Sequence, residues 1–216
     1  MTRTAYYEQV KTVAREVRTQ YGLDSARVLR SDLRRIYADQ HIRIDLRPGF
    51  RQLRGAYFWD EQFGASVLVS DRLPAEPAIF TLGHELKHHL LDRAAGIGWY
   101  SLCDESQRSE VHEIAAEIFA AELIYPDNEF VRDLKAMQVP RRSCDARTIV
   151  RLKHSTRTTL SYASLAKRAT FFHFSADGAL DGVKWKAVEQ SEFGEPAYKR
   201  IQRYRQARQL AQGQRT

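Results

Sequence analysis

The chain has 216 residues, 43% of them hydrophobic, with a formal net charge of +7. That length suits one compact domain or a domain with an appended module, and the basic balance favours an acidic or nucleic-acid partner. No apolar run approaches the roughly 18 residues of a membrane-spanning helix, and the start, Met1-Thr2-Arg3-Thr4-Ala5-Tyr6-Tyr7-Glu8, has no apolar signal core, so a cytoplasmic protein with no membrane partner is expected.

Residues 4–20 read as a helix ended by Tyr21-Gly22. Residues 25–40 read as a second helix, capped by Asp24 or Ser25, with Val28, Leu29, Leu33, Ile36 and Tyr37 as its core face. Residues 41–46 alternate like a strand, closed by a turn at Pro48-Gly49, and residues 55–59 and 65–70 read as a hairpin around Gly64. A helix is expected from Pro74 to Leu91, with Pro and Glu76 in its first turn. Gly96-Ile97-Gly98-Trp99-Tyr100 then forms a loop, either a cleft rim that grips substrate or a connection with a buried Trp. Residues 109–124 form a strongly periodic helix stopped by Pro126, and residues 128–137 a short one broken by Pro140. Residues 145–154 and 158–167 read as two helices joined at Ser155-Thr156-Arg157, a helix-turn-helix-like pair. Residues 170–174 look strand-like, Asp177-Gly178 and Asp181-Gly182 mark turns, and residues 196–212 form a basic helix or tail. The expected class is α+β. A small, about three-stranded antiparallel sheet with helices occupies residues 1–140, and a helix-turn-helix-like region with a basic extension occupies 141–216.

The charge is unevenly spread. From Arg27 to Arg54 there are eight Arg against three Asp, and from Arg141 to Arg168 eight basic residues against Asp145 alone. In the helix-turn-helix-like pair, Arg157, Lys167 and Arg168 are candidates for phosphate contact with DNA; the alternative is a helical hairpin that only packs on the core or docks a protein. Cys103 and Cys144 lack metal-type spacing and are expected as free thiols.

Chemistry is concentrated in His84-Glu85-Leu86-Lys87-His88. Residues four apart share one helix face, so His84 and His88 can offer two imidazoles to one zinc ion while Glu85 reaches a water on that ion. Ile79, Leu82, Leu86 and Leu90 lie on the opposite face. A catalytic zinc takes three protein ligands. The helix at 109–124 supplies Glu110, Glu113 and Glu117 as candidates. Glu113 sits in the middle of an apolar stripe of Ala116, Ala120 and Ile124, where an uncompensated carboxylate is costly and a zinc ion compensates it. Glu113 is therefore favoured as third ligand. Glu117, nearer the polar edge, is the runner-up or a partner to a ligand imidazole.

Two stretches carry a resemblance. Phe80-Thr81-Leu82-Gly83-His84-Glu85-Leu86-x-His88-His89-Leu90-Leu91 resembles FTLAHELGHHLL, and Glu113-x-x-Ala116-x-x-Phe119-Ala120-Ala121-Glu122-Leu123-Ile124-Tyr125-Pro126 resembles ExxAxxFAAxLLMP, both motifs of the ImmA/IrrE family of zinc metallopeptidases. The resemblance spans roughly residues 25–170. It implies a zincin-like domain with one zinc ion held by His84, His88 and Glu113, and Glu85 as general base. It also implies a helix-turn-helix repressor of the Xre type as substrate, cleaved to release a stress response or a mobile element. In zincins a strand along the cleft pairs with the extended substrate, and here that edge strand comes from residues 55–70. Lys87 departs from the family's Gly. On the helical wheel it flanks the His84/His88 face, so its ammonium either lines the cleft or snorkels to solvent.

The function expected is thus a zinc-dependent endopeptidase acting on a specific regulator protein. Tyr100, His112, Tyr125 and His154 are candidates to stabilise the oxyanion. The second reading is a DNA-binding or regulatory protein with a structural or inactive zinc site.

Overall fold

The structure, a computed structural model, is described over residues 2–48, 54–94, 107–196 and 199–206. The loop at Gly96–Tyr100 with its alternative roles, Cys103, and Gly49 of the first turn lie outside those residues.

Helix α1 (Arg3–Gln20) starts where the Thr2 hydroxyl accepts a hydrogen bond from the Ala5 N–H at 3.2 Å. Its buried face carries Val10, Ala14, Val17 and Arg18. Helix α2 (Arg30–Asp39) is shorter than its periodicity predicts and begins five residues beyond Ser25. Ala26 and Val28 are buried in an irregular segment, and the Asp32 carboxylate accepts from the Leu29 N–H at 2.8 Å, which stops the helix from extending backwards.

Strands β1 (Ile42–Arg47), β2 (Gly55–Asp60) and β3 (Gly64–Ser70) form one sheet in the order β1-β3-β2. β2 and β3 make the expected antiparallel hairpin, but β1 runs parallel to β3, from Ile42 opposite Ala65 to Arg47 opposite Ser70. The sheet is therefore mixed rather than antiparallel. Alternation marks a strand's buried face, not its partner, so the direction of β1 was not readable from residues 41–46.

Helix α3 (Ala75–Lys87) packs against the sheet and runs into a π turn (His88–Asp92). Helix α4 (Gln107–Ile124) lies across α3 and is flanked on its other side by α1. The α3–α4 approach is close because Gly83 faces Ala120: a Cβ at Gly83 would sit 3.3 Å from both Cα and Cβ of Ala120. Two polar devices fix this layer. The Tyr37 hydroxyl donates to the Leu82 carbonyl at 2.7 Å, and the buried Arg18 guanidinium donates to the Leu123 and Ile124 carbonyls at 2.8 and 3.2 Å, at the carbonyl-rich end of α4.

Helices α5 (Asp127–Ala136), α6 (Ala146–Thr156), α7 (Tyr162–Phe171) and α8 (Trp185–Phe193) complete the chain order. Ile149, Leu152, Leu165, Phe174 and Leu180 belong to the same buried cluster as Val10, Leu33, Val67 and Leu86, so the core does not stop at residue 140. Lys153 closes the α6–α7 connection by donating to the Thr158 and Leu160 carbonyls, and it pairs with Glu76 in the first turn of α3 at 2.8 Å. The expected strand at 170–174 is instead the end of α7 and its cap. His173 adopts φ 59° and donates to the Thr170 carbonyl, while Phe174 donates to Ala169 and buries its ring. This is a Schellman arrangement, in which a short apolar run caps a helix rather than pairing with a strand. α8 follows the two Gly turns, and the sequence reading did not anticipate it. Of the expected basic helix at 196–212, residues 199–206 are helical.

The α3–α4 contact leaves no room for a β-branched side chain at Gly83. Gly83→Val in chelator-treated protein is expected to lower stability by about 1–3 kcal/mol, read as a lower urea midpoint at unchanged slope. An unchanged midpoint would show that the contact is slack.

Candidate metal centre

The spacing of His84 and His88 on α3 brings their imidazoles together, with the two Nε2 atoms 3.3 Å apart. α4 supplies Glu113 from the facing side. Its Oε2 lies 3.1 Å from His84 Nε2 and its Oε1 3.6 Å from His88 Nε2. One ligand atom from each of the three residues falls within 4.8 Å of the others. An ion with tetrahedral bonds of about 2.0–2.1 Å keeps its ligand atoms about 3.3 Å apart, and two imidazoles with one carboxylate are a donor set used by catalytic zinc. The residues present therefore fit a divalent metal. Glu117, one turn further along α4, is exposed, as is Glu110, so Glu113 is the carboxylate that α4 turns toward the histidines.

Glu85 is 5% exposed and sits between α3 and the edge strand β2. Burial pushes its carboxyl above the usual range and Glu113 adds to this, while His84, His88 and a hydrogen bond from the Tyr57 backbone N–H oppose it. Gly55 makes the fit possible. A Cβ there would lie 2.4 Å from Thr81 Cγ2 and 3.0 Å from Glu85 Oε1. Glu85 is thus held by the absence of a side chain on β2 as much as by its own hydrogen bond.

His88 is the deepest of the three, its side chain 4% exposed. It opens the π turn, in which the Arg93 N–H donates to the His88 carbonyl at 3.0 Å. Asp92, four residues on, lies beneath the ring, with Oδ2 2.6 Å from His88 Nδ1. With Nδ1–H donated to the carboxylate, the lone pair of His88 is on Nε2, toward Glu113 and His84. His89, on the next position, is buried and shares a 3.0 Å hydrogen bond with the Tyr57 hydroxyl; burial and the nearby Arg93 charge push its imidazole down to about 4, so it is neutral at neutral pH. Asp92 and His89 escaped the sequence reading. The available signal was a carboxylate four residues past His88, a spacing that puts both on one helix face.

Lys87 neither lines the cleft nor snorkels. It is fully buried, and its ammonium donates to both Asp92 oxygens at 2.8 Å and to the His112 carbonyl at 3.0 Å. Burial lowers its pKa and the Asp92 charge works against that shift.

The remaining candidates fall in different places. Tyr100 lies outside the described residues. Tyr125 is fully buried and donates to Asp133 at 2.7 Å, away from the cluster, and His154 stacks on Phe193 with centroids 4.1 Å apart. The His112 ring faces Asp92, with Nδ1 at 3.2 Å. Arg157 and Lys167 are exposed on the α6–α7 pair, but Arg168 turns inward to the Tyr125 carbonyl, Asp127 and Glu122, so its guanidinium serves the α4–α7 junction instead of a DNA phosphate. Cys144 is a buried free thiol, its pKa pushed up to about 12 by burial. Among the described residues, no helix is long and apolar enough to cross a membrane.

The Peptidase_M78 family, described as the IrrE N-terminal-like domain, matches residues 44–170. The matched stretch holds the sheet from Ile44 onward and every residue of the cluster. No curated protein matches the chain.

In the metal-free protein, burial disfavours the charged form of His84. The hydrogen bond donated to Glu113 and the charges of Glu85, Glu113 and Glu117 outweigh it and raise the pKa above the ordinary histidine value. A metal must displace that proton. Affinity for a divalent ion is therefore expected to rise from about pH 6 to about pH 8, with more protons released per ion at the lower pH. Calorimetric titration in buffers of different ionisation enthalpy reads both. Equal affinity at the two values would contradict this arrangement.

Proposed function

Because the chain belongs to the IrrE N-terminal-like family of metallopeptidases, matched over more than half its length, we propose that it is a zinc-dependent endopeptidase. Its substrate in this reading is a specific regulator, an Xre-type helix-turn-helix repressor, whose cleavage triggers a stress or mobile-element response. The observation that carries the enzymatic reading is the convergence of His84, His88 and Glu113 with Glu85 buried beside them.

His84, His88 and Glu113 hold the ion, with zinc favoured by the nitrogen and oxygen donor set. When bound, zinc supplies Lewis-acid polarisation of the scissile carbonyl and acidifies the attacking water. Glu85 takes the proton of that water and delivers it to the leaving amine. Its raised pKa suits both transfers, because a base whose pKa lies nearer the working pH releases the proton again readily. The Tyr57 N–H holds the Glu85 carboxylate in place, so the base on α3 is tied to the edge strand β2. β2 lies at the edge of the sheet next to α3, where an extended peptide can add as a further strand with its scissile bond beside Glu85.

Incubation of the purified, zinc-loaded chain with its Xre-type helix-turn-helix repressor substrate, sought first among products of adjacent genes, is expected to give one discrete cut, stopped by a chelator. Glu85→Gln should reduce cleavage by about 10²-fold or more while zinc stays bound, and full activity in that variant would remove Glu85 from the mechanism. Gly55→Ala, which pushes on the Glu85 carboxylate, is expected to lower kcat by about 10- to 100-fold with zinc content unchanged.

A further inference from the structure

The polar groups behind His88 form a closed arrangement that the proposed hydrolysis does not use. Asp92 faces three partners at once: His88 Nδ1 at 2.6 Å, the Lys87 ammonium at 2.8 Å to each oxygen, and His112 Nδ1 at 3.2 Å. The third donor of Lys87 reaches the His112 carbonyl on α4. The same His112 nitrogen also meets α1, where the Tyr6 hydroxyl lies 3.0 Å from Nδ1 and the Tyr6 ring lies 5.8 Å from the Lys87 ammonium. Two elements thus meet at one carboxylate, and a third, α1, reaches its partners His112 and Lys87 through Tyr6, from outside the matched residues 44–170.

We propose that Asp92 is the positioning residue for His88 and that Lys87 is its internal counter-ion, so that the two act as a single unit that sets metal affinity. Resting on the metal-site reading above, the proposal concerns this chain's own departure, a Lys where the resembling family has Gly. A fully buried ammonium one residue from a metal ligand repels an incoming cation unless a carboxylate neutralises it. Asp92 does so from the same π turn. In the same act it fixes the ring orientation and tautomer of His88, with Nδ1–H in a charge-assisted bond and Nε2 presented to the cluster. Neither residue is replaceable alone. Removing the carboxylate leaves a buried cation behind the ligand and a ring with a weaker anchor. Removing both charges leaves a neutral pocket in which Asn can still accept from His88 Nδ1–H.

The test is zinc affinity by chelator competition for wild type, Asp92→Asn, Lys87→Met and the double variant, beside urea unfolding of each chelated protein. Asp92→Asn is expected to weaken zinc binding by at least about tenfold. Adding Lys87→Met should restore most of that loss, so the two changes are strongly non-additive. The double variant, which buries no unpaired charge, keeps the comparison valid where Asp92→Asn unfolds on its own. Wild-type affinity in Asp92→Asn overturns the proposal, as does a double variant no tighter than Asp92→Asn. Absence of zinc binding by the wild type overturns both the metal-site reading and this inference with it, whereas loss of repressor cleavage with the affinity pattern intact leaves this inference standing.

Discussion

The close approach of α3 and α4 is the constraint on which the rest depends. Neither helix carries a complete metal centre. The imidazoles of His84 and His88 come from one and the Glu113 carboxylate from the other, and side chains of that length meet only when the backbones are near. Gly83 against Ala120, with Ala116 fully buried beside them, sets that distance. The residues that look least chemical in the two motifs are therefore the ones that assemble the site. A larger side chain at this contact separates the ligands before it disturbs any of them directly.

Around that contact the protein manages an unusual number of buried charges. Arg18 satisfies the terminal carbonyls of α4, Glu122 is held by Arg15 and Arg168, and Lys87 is held by Asp92. The first two join elements distant in sequence, Lys87 does so through the His112 carbonyl, and each charge is costly unless its partner is present. The effect is to make α1 and α7 part of the same body as the metal helices. Helices α6 and α7 resemble a DNA-reading pair in sequence, yet their inner residues share the core with the sheet and α3. Arg168 illustrates the change of role: a basic residue in a basic stretch, spent on an internal carbonyl and two carboxylates.

The candidate site was largely legible because His84, His88 and Glu113 lie on helices, where spacing maps directly onto direction. His84 and His88 share a face by periodicity alone, and Glu113 stood out as a carboxylate in an apolar stripe. What could not be read depended on partners from other elements. Asp92 stands four residues past His88, but its contact with His112 of α4 shows only in the packing, and at the sequence level Lys87 looked like a side chain near the cleft mouth. Gly55 is another case. As a residue it marks a strand start, and only the packing of β2 against Thr81 and Glu85 shows why no side chain fits there.

Sequence by itself determined most of the helices, the hairpin and the shared face of the two imidazoles, and it singled out Glu113, since periodicity and apolar patterning are local properties that survive without knowledge of the fold. Tertiary structure alone decided the parallel pairing of β1, the late start of α2, the helical cap at residues 170–174 and the burial of Lys87. Those outcomes turn on which groups distant in the chain meet. The energy of a strand edge, a helix end or a buried ammonium is set by the partner it finds, and the residue's own type does not name that partner.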